Sequence, residues 1–279
     1  MRWKNAKKST NVEDRRGSGA VRGTAKIGGG MVLIVFVVSL LLGQNPLEIL
    51  GLLGGQSGAA GESAPGPPPD DESGEFVSVV LADMEDIWQQ LFTGAGGQYV
   101  PAKLVLFSSA VESACGFNTA ATGPFYCPPD QKVYLDLSFL GELQRLGASG
   151  DFALAYVIAH EVGHHVQNLV GTSESVRSGQ SRAGSAESNR ISVALELQAD
   201  CYAGVWAHHS QKRGTISYDA DDFQEGLRTA SVIGDDYLQR QAGRRVQPES
   251  FTHGSSEQRA SWLRRGLSTG DVEQCNTFE

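Results

Sequence analysis

His160, Glu161 and His164 stand in the pattern H-E-x-x-H. On a helix, histidines four residues apart lie one above the other on one face. Two imidazoles at that spacing can hold one Zn²⁺ with Zn–N distances of about 2.0–2.1 Å. Glu161, next to the first ligand, can reach a water on the metal and act as general base. A catalytic zinc takes three protein ligands and keeps a position open, so a third ligand must come from elsewhere. Glu196 and Asp200 are also four apart, in a segment with helical character. Glu196 is read as the third ligand. Asp200 is read as the carboxylate that accepts a proton from the far nitrogen of a ligand histidine and fixes its tautomer. Either acid can ligate zinc, so the two roles are exchangeable at this point. H-E-x-x-H by itself is short; a second acidic turn in an apolar helix, costly to bury unless paired or metal-bound, strengthens it.

These residues need two helices to present them. Phe152 to Ile158 is apolar and free of Gly and Pro, Asp151 can cap the start, and Gly171 sits where a helix would stop. Ile191, Val193, Leu195, Leu197 and Ala199 surround the acidic pair without a Pro. The polar stretch from Gly171 to Ser188 reads as a loop between the two. His165 projects about 100° away from His164 around the helix and reads as structural or exposed. His208 and His209 read as solvated at a helix C-terminus, and Asp235 with Asp236 as a solvated turn, a functional role being the alternative, in a helix over Asp221 to Ala242 that Gly234 interrupts. Phe76 to Phe92 carries apolar residues at helical spacing. Lys103 to Ser108 and the alternating stretch Gln131 to Phe139 read as strands.

Gly150 to Gln167 and Glu196 to Cys201 resemble the bacterial putative neutral zinc metallopeptidase family. So do Gly123-Pro124-Phe125-Tyr126-Cys127-Pro128 and Phe251-Thr252-His253-Gly254-Ser255-Ser256-Gln258-Arg259. The likeness covers the chain from about Phe76 onward. It implies an α+β zincin-like domain, mostly helical with a small sheet, with Glu196 as third ligand in a gluzincin-like set. In such a domain the Gln131 to Phe139 strand can form the sheet edge above the active-site helix, where a peptide adds by main-chain hydrogen bonds. Thr252-His253 and Arg259 are more distantly similar to motifs of membrane zinc proteases that process prenylated proteins; those have several spanning helices and a Pro where this chain has Gly254. On this likeness, and on the need for a donor to a developing oxyanion, His253 is a second catalytic candidate. The implied activity is endopeptidase action on a peptide or protein substrate. A zinc-stabilised scaffold without turnover is the alternative.

Composition bounds the rest. At 279 residues and 40% hydrophobic, one large domain plus a tail fits. The net charge is −9, yet residues 1–30 hold Arg2, Lys4, Lys7, Lys8, Arg15, Arg16, Arg22 and Lys26 against Glu13 and Asp14. The body is thus acidic, which argues against a nucleic-acid partner. The reading divides the chain into a basic cytoplasmic arm (1–26), a transmembrane anchor (27–48), a disordered Gly/Pro/Ser/acidic linker (49–75) and the metallopeptidase domain (76–279). The uncharged span Ile27 to Leu47 is long enough to cross a bilayer as one helix. Basic residues before it place the N-terminus in the cytoplasm and the domain outside, in the periplasm or at the cell surface. A cleaved signal peptide and a buried core helix are the alternatives. Four cysteines allow three connectivities. Cys115 with Cys127 brackets a local loop, which leaves Cys201 with Cys275; a Cys₄ zinc site lacks the C-x-x-C spacing.

Overall fold

The computed structural model describes residues 1–17 and 69–278. Its sheet has four strands in the order β1 (Val12–Asp14), β2 (Lys103–Phe107), β6 (Lys132–Asp136) and β5 (Phe125–Cys127). β2 and β6 run parallel, with Leu104 opposite Val133 and Leu106 opposite Leu135. Near-continuous apolar sequence is what strands covered on both faces require. β5 pairs antiparallel with the outer side of β6. The Gln131 to Phe139 strand is therefore interior, and the expectation that it forms the sheet edge is corrected: the short β5 takes that place. The hairpin β3 (Ala110–Ser113) and β4 (Gly116–Thr119) forms a separate ribbon. The Cys115–Cys127 disulfide ties that ribbon to β5.

Helix α1 (Glu72–Gly94) is capped by the Asp71 carboxylate, which accepts from the Gly74 amide at 2.7 Å. It begins before Phe76, so the expected linker ends at the cap rather than at residue 75. After α2 (Phe139–Leu146), helix α3 (Asp151–Leu169) carries H-E-x-x-H. Asp151 is its first residue rather than its cap, and its carboxylate accepts from Trp3 Nε1 at 3.2 Å. The α3 helix is buried around most of its circumference, as a helix central to a core must be.

The polar stretch after Gly171 is helical as well. It forms α4 (Thr172–Gln180) and the start of α5 (Ser185–Arg213). The expected loop is corrected: α4 buries only Val176, so no apolar period marks it in the sequence. The expected helix over Asp221 to Ala242 is two helices, α6 (Ala220–Val232) and α7 (Asp235–Gln241). A capping box of Ser255 and Gln258 opens α8 (Ser256–Thr269). Glycine permits the close helix crossings. A Cβ on Gly266 of α8 would lie 2.0 Å from the Cys201 carbonyl oxygen of α5, and one on Gly163 of α3 would lie 3.0 Å from the Ala199 oxygen.

Residues 1–17 are part of this body. Trp3 is buried edge-on against Phe76, with ring centroids 5.2 Å apart. Arg2 bridges to Ser217, and β1 pairs with β2 through Val12 opposite Leu104. Lys7 meets Asp86 at 2.7 Å and Arg15 meets Glu13 at 2.6 Å, so basic residues of this stretch serve intramolecular ion pairs. The expectation of a separate basic arm is corrected for these residues. The expected anchor, 27–48, and the linker up to residue 68 lie outside the described residues. Among the described residues, no helix is long and apolar enough to cross a membrane.

Candidate metal centre

His160 and His164 sit on successive turns of α3, and Glu196 faces them from α5. Their candidate ligand atoms lie within 4.8 Å of one another. His160 Nε2 is 3.1 Å from Glu196 Oε2, and His164 Nε2 is 3.4 Å from Glu196 Oε1. Ligand atoms about 2.0–2.1 Å from a tetrahedral zinc are separated by about 3.3–3.4 Å. The donor set and its spacing therefore fit Zn²⁺.

Each histidine spends its other nitrogen on a fixed partner. His160 Nδ1 is 2.8 Å from Asp200 Oδ1, and His164 Nδ1 is 2.8 Å from Gln167 Oε1. Both Nε2 atoms are thereby turned to Glu196, the arrangement in which an outer partner sets ring orientation and tautomer. Asp200 is fully buried and serves several donors. Its Oδ1 accepts from Tyr156 Oη at 2.6 Å and from Arg259 Nη2 at 3.0 Å; its Oδ2 accepts from Arg259 Nε at 2.9 Å. Arg259, in the first turn of α8, is buried and also donates to the Ile233 carbonyl oxygen at 3.3 Å. Gln167 donates to the Leu195 carbonyl oxygen at 2.7 Å and to Gln198 Oε1 at 3.0 Å; Gln198 reaches the Cys275 carbonyl oxygen at 3.1 Å. The second disulfide joins Cys201 of α5 to Cys275, so the C-terminal tail supports the same helix turn.

The electrostatics follow from burial among carboxylates. Burial opposes charge on His160, but Asp200 and the hydrogen bond to Glu196 outweigh it and push its pKa up to about 10. Burial works against Asp200 too; Arg259 and His160 overcome it and hold the carboxyl down at about 2. The same negative environment that favours a proton on His160 favours a cation in its place. Glu161 is buried beside this cluster, and burial raises its pKa against the opposing pull of His164 and His160. A carboxyl raised from its ordinary value is suited to proton transfer.

His253 lies in the loop before α8. The loop rests on α5: a Cβ on Gly254 would be 3.2 Å from Leu197 and 3.3 Å from Val193. The His253 side chain is 53% exposed, and its Nδ1 is 3.3 Å from Asp235 Oδ1. Burial lowers its pKa less than the Asp235 hydrogen bond and the charge of Glu196 raise it. It is thus a rim residue within the electrostatic reach of the centre.

The structure thus brings His160, His164 and Glu196 together, with Asp200 behind His160 and Glu161 beside them. His165 is buried at 0% exposure, bonding Val100 O through Nε2 at 2.6 Å and Tyr126 Oη through Nδ1 at 3.0 Å. His208 and His209 each bond a backbone carbonyl oxygen, of Leu267 and Gly270, rather than standing solvated. Sequence reasoning missed Tyr156 and Gln167, although Tyr156 precedes His160 by one turn and Gln167 follows His164 by three residues. It left Arg259 to resemblance alone and preferred a solvated turn to a functional role for Asp235.

A family model described as "Putative neutral zinc metallopeptidase" matches residues 1–278. The uncharacterized protein YpfJ of Escherichia coli (strain K12) is 46% identical over 287 residues, covering 100% of this chain and 99% of that protein. The uncharacterized protein Rv2575 of Mycobacterium tuberculosis is 41% identical over 206 residues, covering 70% of this chain and 67% of its own length. No solved structure matches the chain.

Proposed function

The chain belongs to the putative neutral zinc metallopeptidase family, and from that premise we propose that it is a zinc-dependent endopeptidase acting on peptide or protein substrates. The observation that carries this reading is the convergence of His160 Nε2 and His164 Nε2 on Glu196, with Glu161 buried alongside. His160, His164 and Glu196 would hold one Zn²⁺ in a gluzincin-like set. When bound, the ion supplies an electrophile for the scissile carbonyl and lowers the pKa of water. Glu161 takes the proton from the attacking water and passes it to the leaving amine. Asp200 holds His160 in the tautomer that presents Nε2, and Gln167 does the same for His164. His253 donates a hydrogen bond to the oxyanion as the carbonyl becomes tetrahedral. A closed structural zinc takes four protein ligands, whereas the candidate group among the described residues is of three, which favours turnover over a scaffold.

Compartment is part of the proposal. We place the domain outside the cytoplasm, a reading that the two disulfides support because such bonds persist in oxidising environments. Residues 1–17 are built into that domain and go with it. One crossing with the N-terminus left in the cytoplasm would part β1 from β2, which favours an attachment through 27–48 with both flanks on one side. Thiol labelling in intact cells, with single cysteines placed at exposed Lys8 and at Arg264, tests this: equal labelling from outside is expected, and a protected position 8 would restore the single crossing.

Glu161→Gln is the test of activity. It should retain about one zinc per chain and lose at least about 10²-fold in hydrolysis of a quenched peptide library. His160→Ala, His164→Ala and Glu196→Ala should each lose the metal. Full zinc retention in Glu196→Ala with loss in Asp200→Ala would transfer the ligand role.

A further inference from the structure

Asp235 opens α7 with its carboxylate turned inward; the side chain is 14% exposed. One oxygen, Oδ2, accepts three consecutive amides: Thr252 at 2.8 Å, His253 at 2.7 Å and Gly254 at 3.0 Å. The other, Oδ1, lies 3.3 Å from His253 Nδ1. The Asp235 amide itself donates to the Gly254 carbonyl oxygen at 2.9 Å. The loop is thus wrapped around one carboxylate. Its far side rests on Val193 and Leu197, which flank Glu196 on α5. Asp236 does a parallel service for the next stretch, accepting from the Ser256 amide at 2.7 Å and from Ser256 Oγ at 2.8 Å. A solvated turn would not direct four donors at one acidic side chain.

We infer that Asp235 is the positioning residue of this site. Its carboxylate fixes the His253 ring by the Nδ1 side and pins the 252–254 loop against the α5 turn that carries Glu196, so that Nε2 is the nitrogen presented to substrate. With Nδ1–H bonded to the carboxylate, a neutral ring would leave Nε2 bare; the charge of Asp235 favours a second proton there, so that Nε2 can donate to the oxyanion. An imidazole held only by χ rotation on an exposed loop would sample several orientations; the carboxylate removes that freedom before substrate arrives. Thr252 Oγ1, at 3.0 Å, also touches Nδ1. It is a neutral partner on the same loop, whereas Asp235 is charged and opens a helix, so the carboxylate dominates. The inference rests on the proposed peptidase reading for its catalytic meaning, but the ring's protonation can be read without turnover.

The test uses the full chain loaded with zinc. Imidazole ¹⁵N spectra of the wild type, with His253→Gln assigning the resonance, should show His253 protonated at both nitrogens, with Nδ1 in a fixed hydrogen bond. Asp235→Asn retains an acceptor for the loop amides but not the charge; it should move the His253 resonances toward the neutral, tautomer-averaged ring with zinc content unchanged. With a quenched peptide library, Asp235→Asn should lower kcat about tenfold and leave KM within about twofold. In a His253→Gln background the same change should cost less than about twofold more, because both act through one ring. Unaltered His253 resonances in Asp235→Asn, or losses that multiply in the double variant, overturn the assignment. Thr252→Val is the second variant: unchanged His253 resonances support the carboxylate, and changed ones overturn it even where Asp235→Asn does not fold. A wild type that cleaves no peptide would defeat the peptidase reading while the spectra still decide the role of Asp235.

Discussion

Two imidazole–carboxylate pairs flank the centre, and they differ in what surrounds them. His160 with Asp200 lies in the interior, its carboxylate at 0% exposure and bonded to Arg259 and Tyr156 as well. His253 with Asp235 lies at the rim, its ring half exposed and its carboxylate bonded mainly to loop amides. The inner pair is locked by neighbours on α3, α5 and α8, so it can fix a metal ligand but cannot move. The outer pair is held by one loop, so it can stay oriented and still meet a substrate. The same chemical pair is thus a strut in one place and a tool in the other, and burial makes the difference.

The comparison breaks most visibly in stability. Asp200→Ala leaves the buried Arg259 guanidinium without its partner, which should cost about 3–5 kcal/mol and weaken zinc binding about 10–100-fold. Asp235→Asn, at the rim, should cost less than about 1.5 kcal/mol, the scale of an ordinary hydrogen bond. Denaturant unfolding with zinc titration reads both. Equal losses would show that the rim carboxylate is also a strut.

The C-terminal tail sharpens the distinction between the locked and the loosely held side. Cys201–Cys275 closes 74 residues of chain, worth about 4 kcal/mol in the chain-entropy account, against about 3 kcal/mol for Cys115–Cys127. Only the first connects to the centre, through Gln198, Gln167 and His164. Cys275→Ser should therefore lower the melting temperature and zinc retention together. Cys115→Ser should lower the melting temperature and leave zinc bound. Zinc loss in both variants would mean that the route through Gln167 is not what matters.

Acid should separate the pairs by a smaller amount. Asp200 is held at about 2 against an ordinary 3.8. A depressed carboxyl contributes stability above its unfolded pKa, and that contribution is lost as pH falls through the folded value, here between about pH 4 and 2. Asp200→Asn should flatten that limb of the stability curve; an unchanged limb would assign it to other acids. In the opposite direction, His160 is raised to about 10, so zinc must displace its proton at neutral pH. Affinity should rise with pH up to that value, and calorimetry in buffers of different ionisation enthalpy should show a proton released.

The ligand helices and the first-named ligands were legible because their chemistry is local. H-E-x-x-H places two imidazoles on one face by helix geometry alone, and the four-residue spacing of Glu196 and Asp200 does the same. The disulfide pairing could be reached from loop logic, and the structure bears it out. Gln131 to Phe139 was legible as a strand but not as an interior one, because a period of two says which face is apolar and nothing about the neighbours. Helix α4 was hidden because a helix with one buried residue, Val176, leaves no stripe to read.

Sequence by itself determined that this chain carries a two-histidine, two-carboxylate set on paired helices, since those relations span four residues and follow from backbone geometry. Only the tertiary structure decided which carboxylate faces both Nε2 atoms and which stands behind His160, a choice made where α3 crosses α5 at Gly163 and Ala199. It also decided that Arg259, 59 residues beyond Asp200, neutralises it. It set Asp235 beneath His253 and returned residues 1–17 to the sheet. Those contacts join parts of the chain far apart in order, and they are fixed by packing and by the cost of burying an unpaired charge, neither of which a local spacing records.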